Sequence, residues 1–162
     1  MAKSLKRKGK VKITQSLTEF YQLAVQDWEV YYHFGITPKR LRDSKGPYWE
    51  ISKLKLSCGI SSPKLRSASN AKVELSADPR QEDNWESEPT IVSAEAIGFM
   101  EIPRGQDVLL LYCSVPPRLG NNIHAAVAAG KIEHILVHGD KLKWRQGKVY
   151  SLSLSTKPEE FE

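Results

Sequence analysis

The nearest thing to a chemical constellation in this chain is its histidines. His134 and His138 stand four residues apart in KIEHILVHGD, a spacing that would put two imidazoles on one face of a helix. Ile132–Val137, however, reads as a strand. On a strand the two rings share a face with Leu136 between them, and the rise separates them by roughly 13 Å. That is too far to chelate one zinc ion. His124 from a preceding helix and Asp140 from the following turn are further donors, but no fixed-spacing ligand motif joins them. The reading is no metal and no cofactor.

Nucleophiles fare no better. Cys113 lies inside the most apolar run, Val108–Val115, and Cys58 sits in similar surroundings, where a thiol is kept protonated. Two reduced, buried thiols are expected rather than a disulfide. No serine occupies a Gly-x-Ser-x-Gly elbow. The acid pairs Glu82/Asp83 and Glu86/Glu88 fall in an acidic stretch, RQEDNWESEPT, and read as solvated loop carboxylates. The chain is read as a non-enzyme.

Binding chemistry has more to offer. No phosphate-cradling glycine motif is present, but Leu119-Gly120-Asn121-Asn122 precedes a helix. With Asn121 or Asn122 as its cap, free N–H groups beside Arg118 would form an anion site from Arg118, Asn121 and Asn122. Lys3, Lys6, Arg7, Lys8, Lys10 and Lys12 fill the first twelve residues without an acid, leaving eighteen basic and nineteen acidic residues in the rest. The net charge of +5 therefore belongs to the N-terminus. These six cations could follow a nucleic-acid backbone. Lys39, Arg40, Arg42 and Lys45 form a second basic group. Lys53 and Lys55 extend it over a strand face, where Tyr31 and Trp49 offer stacking platforms. Trp85, flanked by acids, is a candidate anchor for a protein partner, or else a lid folded back on the sheet.

These residues must be held by a scaffold that the residue pattern outlines. A chain of 162 residues suits one domain. Residues 1–14 read as a basic flexible arm, 15–157 as a single β-rich domain and 158–162 as an acidic tail. Gln15–Asp27 is ambiguous and leans to a short helix, with Ser16 and Glu19 as a capping box and Phe20, Leu23 and Ala24 on one face. Trp28–Ile36 alternates as a half-buried strand. Tyr48–Ile60 follows, with Leu54, Leu56, Cys58 and Ile60 on one face. Trp49 and Ile51 break its parity, which a bulge near Ser52 or burial on both sides would explain.

Ala71–Ala77 alternates, 80–90 reads as a loop and Ile91–Ile102 as a strand interrupted at Gly98. Val108–Val115 shows no alternation and is expected to be buried on both faces. Gly130 closes the helix Ile123–Ala129. Ile132–Val137 then returns, and Lys141–Arg145 pairs with Lys148–Thr156 across Gln146-Gly147, with Tyr150, Leu152 and Leu154 facing inward. The expectation is a mainly β fold, a β-sandwich or partly open barrel of about eight short strands with one or two short helices.

No run approaches a membrane span and no secretory h-region is evident, so a cytoplasmic address is expected. The leading functional reading is a non-catalytic binding protein that contacts another macromolecule through a sheet face or edge and the loop around Trp85. The partner would be a protein, or a second copy paired strand to strand. The alternatives are a nucleic-acid-binding accessory protein using the basic arm, and a small-molecule or anion binder at Asn121-Asn122.

Overall fold

The computed structural model describes residues 17–39, 47–78 and 95–158. Seven strands and one helix follow in chain order: β1 (Thr18–Ile36), β2 (Tyr48–Ser62), β3 (Asn70–Ala77), β4 (Gly98–Glu101), β5 (Val108–Val115), α1 (Pro117–Ala128), β6 (His134–Asp140) and β7 (Gln146–Ser155). The strands close into a barrel in the order β1-β2-β3-β5-β4-β7-β6. All neighbours are antiparallel except β3 and β5, which run parallel. The mainly β reading holds, as a closed barrel of seven strands with one helix.

Of the expected helix over Gln15–Asp27, Thr18–Asp27 is instead the first part of β1, while Gln15 and Ser16 lie outside the described residues. Tyr21 and Leu23 point into the barrel, and β1 then shifts register between Val25 and Asp27. The bulge moves the inward parity from odd to even residues, so Trp28 and Val30 continue the inner face opposite buried Leu56 and Leu54. Inward residues separated by three at this point imitate a helical repeat. A bulge has the same effect in β7. The shift at His138/Gly139 sets Gly139 opposite Val149, so Val149 is buried and Tyr150 turns outward to Asp140.

The interior is wholly apolar. Tyr21, Leu56, Val73, Met100, Leu109, Leu111, Ile135, Val137 and Val149 form its centre, and no polar or charged residue is buried among the described residues. On β5, buried Leu109, Leu111, Cys113 and Val115 alternate with half-buried Val108, Leu110, Tyr112 and Ser114. The strand thus has one buried face, not two. Three of its outer residues, Val108, Leu110 and Tyr112, are largely apolar yet meet solvent at the barrel wall.

Helix α1 closes one barrel opening with buried Ile123 and Val127. Pro116-Pro117 ends β5 and also starts the helix, because a proline at the first helical position lacks only an N–H that would go unpaired anyway. The helix therefore begins well before Asn121. Gly130, at φ 66°, takes the left-handed C′ position. The Lys131 and Gly130 N–H groups donate to Ala126 and Val127, the paired bonds of a Schellman end. Where Gly120 and His124 of the helix meet Val30, Leu54, Leu75 and Val115, a space of only about 10 Å³ remains.

Of the expected strand Ile91–Ile102, residues 91–94 lie outside the described residues, and the described part pairs only over β4, from Gly98 to Glu101. The closing turn of the last hairpin also differs. Lys143 and Gln146 exchange both backbone hydrogen bonds, which puts Trp144 (φ 55°) and Arg145 (φ 68°) at the corners in place of Gln146-Gly147. No helix of the described residues is long and apolar enough to cross a membrane.

Candidate functional site

At nineteen and fifteen residues, β1 and β2 are far longer than the usual five or six of a strand, and this barrel does not use their full length. β6 pairs with β1 only from Thr18 to Ala24, and β3 reaches along β2 only to Lys53, opposite Ser76. Beyond those limits β1 and β2 pair with each other as far as Ile36 and Tyr48. The five pairs past Lys53 make a two-stranded arm roughly 17 Å long by strand rise. The Thr37 N–H donates to the Pro47 carbonyl at its far end.

Both faces of the arm carry large apolar side chains. Beyond Trp28, which lies opposite Leu56 and short of the arm, Tyr32, Phe34, Ile36 and Tyr48 continue the inner face of the barrel past its rim, with Phe34 78% and Tyr48 72% exposed. Tyr31, His33, Trp49 and Ile51 occupy the other face. Trp49 and Ile51 are neither bulged nor buried on both sides. They sit outside the barrel, where inward and outward lose their meaning. No register shift occurs near Ser52.

Ring contacts stiffen the arm. Tyr31 Oη and His33 Nδ1 are hydrogen-bonded at 3.0 Å, and the His33 ring meets Trp49 at 4.6 Å. At the base, Tyr32 Oη and His124 Nδ1 lie 2.8 Å apart and tie the arm to α1. From Asp27 to Ile36 no strand of the described residues pairs with the second edge of β1. The Trp28 N–H there donates to its neighbour's own carboxylate, Asp27 Oδ1, at 2.9 Å.

Charges on this side of the molecule balance. Lys53 pairs with Glu74 at 2.5 Å. An open groove of about 310 Å³ over β1, β2, β3 and β5 is lined by Asp27, Glu29 and Glu74 as well as Lys55 and Lys72. Exposed Lys39 stands at the arm's far end. Arg40, Arg42 and Lys45 lie outside the described residues, as do Lys3, Lys6, Arg7, Lys8, Lys10, Lys12, Trp85 and the acid pairs around it. Lys39 and Leu17, where the N-terminal segment joins, lie beyond opposite ends of β1. The two basic groups thus enter the described fold far apart.

The anion-site premise needs correcting. Asn121 and Asn122 are exposed within α1 rather than at its cap, and the Gly120 N–H already donates to Pro116. The helix start lies at Pro116-Pro117, beside Arg118.

The histidines do not converge. His124 serves Tyr32, while His138 stacks on Phe20 at 4.7 Å with 21° between the planes. Asp140 accepts the Tyr150 hydroxyl at 2.6 Å and the Lys148 N–H at 2.9 Å. Those bonds, the tyrosine's first, hold its carboxyl below the usual carboxylate range. The Tyr21 hydroxyl donates to the Asp140 carbonyl at 2.8 Å, and burial is the main reason its pKa rises to about 12. No three metal-ligating side chains gather among the described residues. Cys58 and Cys113 are buried and unpaired, and burial pushes both thiols up to about 12.

The aromatic alternation Trp28–Ile36 is visible in the residue pattern, yet it reads there as a half-buried strand. The overhang could have been found from length alone, had β1 been recognised as a single strand. No known protein family, curated protein or solved structure matches this chain.

Proposed function

We propose that this chain is a binding protein whose working surface is the β1–β2 arm, and that the arm takes a protein strand along the open edge of β1. One observation carries the reading: apolar side chains are exposed on both faces of a ribbon with one long edge that no strand of the described residues pairs. A two-stranded ribbon is marginal in water, and a third strand stabilises it. Long apolar edges are templates for strand addition. Covering Phe34 or Tyr48 contributes about 2 kcal/mol each.

The partner best supported is a second copy of the chain. Antiparallel pairing of two β1 edges about a two-fold axis at Tyr32 sets Trp28 against Ile36 and Val30 against Phe34 on one face. On the other face it sets Tyr31 against His33 and Glu29 against Gly35. Apolar residues meet apolar ones and no like charges are opposed.

Sedimentation velocity of the full chain tests this, compared with the double variant Phe34→Ser/Tyr48→Ser. A dimer that the double variant weakens at least tenfold supports the reading. A wild-type chain that stays monomeric at high concentration overturns the second copy as partner.

A further inference from the structure

Strand pairing along the edge of β1 satisfies backbone but leaves the faces of the arm to solvent. Helix α1 is placed to cover one of them. The His124 ring stands 5.9 Å from that of Trp28 and 6.0 Å from that of Tyr32, and its Nδ1 is hydrogen-bonded to Tyr32 Oη. Trp28 and Tyr32 share the inner face of β1, roughly 13 Å apart by strand rise. One imidazole that reaches both rings lies over the stretch between them. Val30 occupies that stretch, and it lines the same small gap as His124.

This cluster is walled on one side only. Towards β2, Trp28 and Val30 lie beside buried Leu56 and Leu54. On the other side no strand of the described residues pairs with β1 from Asp27 onwards. Trp28 and Tyr32 stay 42% and 60% exposed there, although His124 meets both rings. The helix has little of its own to close the gap. One turn from His124, Val127 is buried, Gly120 has no side chain, and Asn121 and Ala128 face solvent.

We propose that the missing wall is the partner's Phe34, seated beneath His124 and beside Val30 in a pair of chains. The inference rests on the two-fold strand pairing at Tyr32 argued above. In that register Val30 stands opposite the partner's Phe34, and Trp28 opposite the partner's Ile36, with β-carbons about 5 Å apart. His124 overhangs Val30, so a phenyl ring beside Val30 lies within its reach and packs against an aromatic cluster. By symmetry the two α1 helices flank the same face of the four-stranded sheet, and each covers the other chain's Phe34. The chemistry of the two sides agrees. No residue on the inner face of β1 from Trp28 to Ile36 is charged. Glu50, beside Phe34 on β2, lies on the side of Phe34 away from the partner.

The test uses mixtures of two full-length chains, one enlarged by a tag, each with a single introduced cysteine and a short bis-thiol crosslinker. Cys58 and Cys113 are buried, and any tagged–untagged product is intermolecular. Phe34→Cys mixed with His124→Cys is expected to join, and Phe34→Cys mixed with Asn122→Cys, on the exposed side of α1, is not. Tyr31→Cys mixed with His33→Cys, opposed on the other face, reports the strand pairing alone. If that pair joins and the Phe34/His124 pair does not, strand pairing stands and the seat on α1 is overturned. If neither joins, both fall. Sedimentation velocity separates the ring of His124 from its bond to Tyr32. His124→Phe is expected to keep the dimer and His124→Ala to weaken it roughly tenfold. A dimer that both substitutions weaken equally, or that neither alters, also overturns the seat.

Discussion

The indole of Trp49 lies across the hairpin against Gly35, so close that a β-carbon built on Gly35 would sit 2.9 Å from both Cε2 and Cζ2. The two residues are direct partners in the β1–β2 register. A glycine here leaves room for a ring to lie over the ribbon, and the ring in turn packs against His33 at 4.6 Å. The arm is therefore a shaped surface whose aromatic side chains hold one another in place.

Gly35→Val should lift Trp49 off the ribbon while leaving the barrel intact. The clash is with a side chain at the protein surface, so the expected stability change is within about 1 kcal/mol. The Trp49 indole signal in a two-dimensional NMR spectrum should move, with core methyl signals unchanged.

Gly98→Ala should behave in the opposite way. A β-carbon there would lie 2.1 Å from the Tyr112 carbonyl oxygen and 2.8 Å from Cys113 Sγ. Backbone on β5 would have to shift, at a cost of about 3 kcal/mol. Urea unfolding should show a lower midpoint with an unchanged slope.

Cys58 and Cys113 should resist thiol reagents at neutral pH until the chain unfolds, because burial holds both pKa values near 12. The folded thiols keep their protons while unfolded ones ionise from about 8.5. Stability should therefore fall as pH rises from about 8.5 towards 12. Labelling in native buffer and in denaturant, with thermal melts across this range, checks both points.

Asp140→Ala should destabilise the β6–β7 hairpin by about 1 kcal/mol, since it removes the acceptor of the Tyr150 hydroxyl and the Lys148 N–H. The carboxyl titrates lower in the folded chain than in the unfolded one. Its contribution is thus present at neutral pH and fades as pH drops below about 4. Melting temperatures of wild type and variant should converge in acid.

The barrel wall was legible where alternation was unbroken. Leu54, Leu56 and Cys58, and likewise Ala71, Val73 and Leu75, point inward as their spacing requires. It was illegible where a bulge reset the period, as between Val25 and Asp27 or beside Tyr150, because periodicity arguments assume a constant register. The closing turn was missed because Trp and Arg give no signal for left-handed corners, whereas Gln146-Gly147 does. Trp28, Tyr32 and Phe34 are spaced as core residues. Only the reach of β3 and β6, set by long-range pairing, leaves part of that face outside the barrel.

The arm is tested most directly by placing a photo-activated crosslinking residue at Phe34 in the full chain, with the same probe at Lys72 as control. The account predicts a covalent dimer from position 34, with the bond mapped to residues 28–36 of the second copy, and none from position 72. Absence of any intermolecular product from position 34, or equal products from both positions, would contradict it.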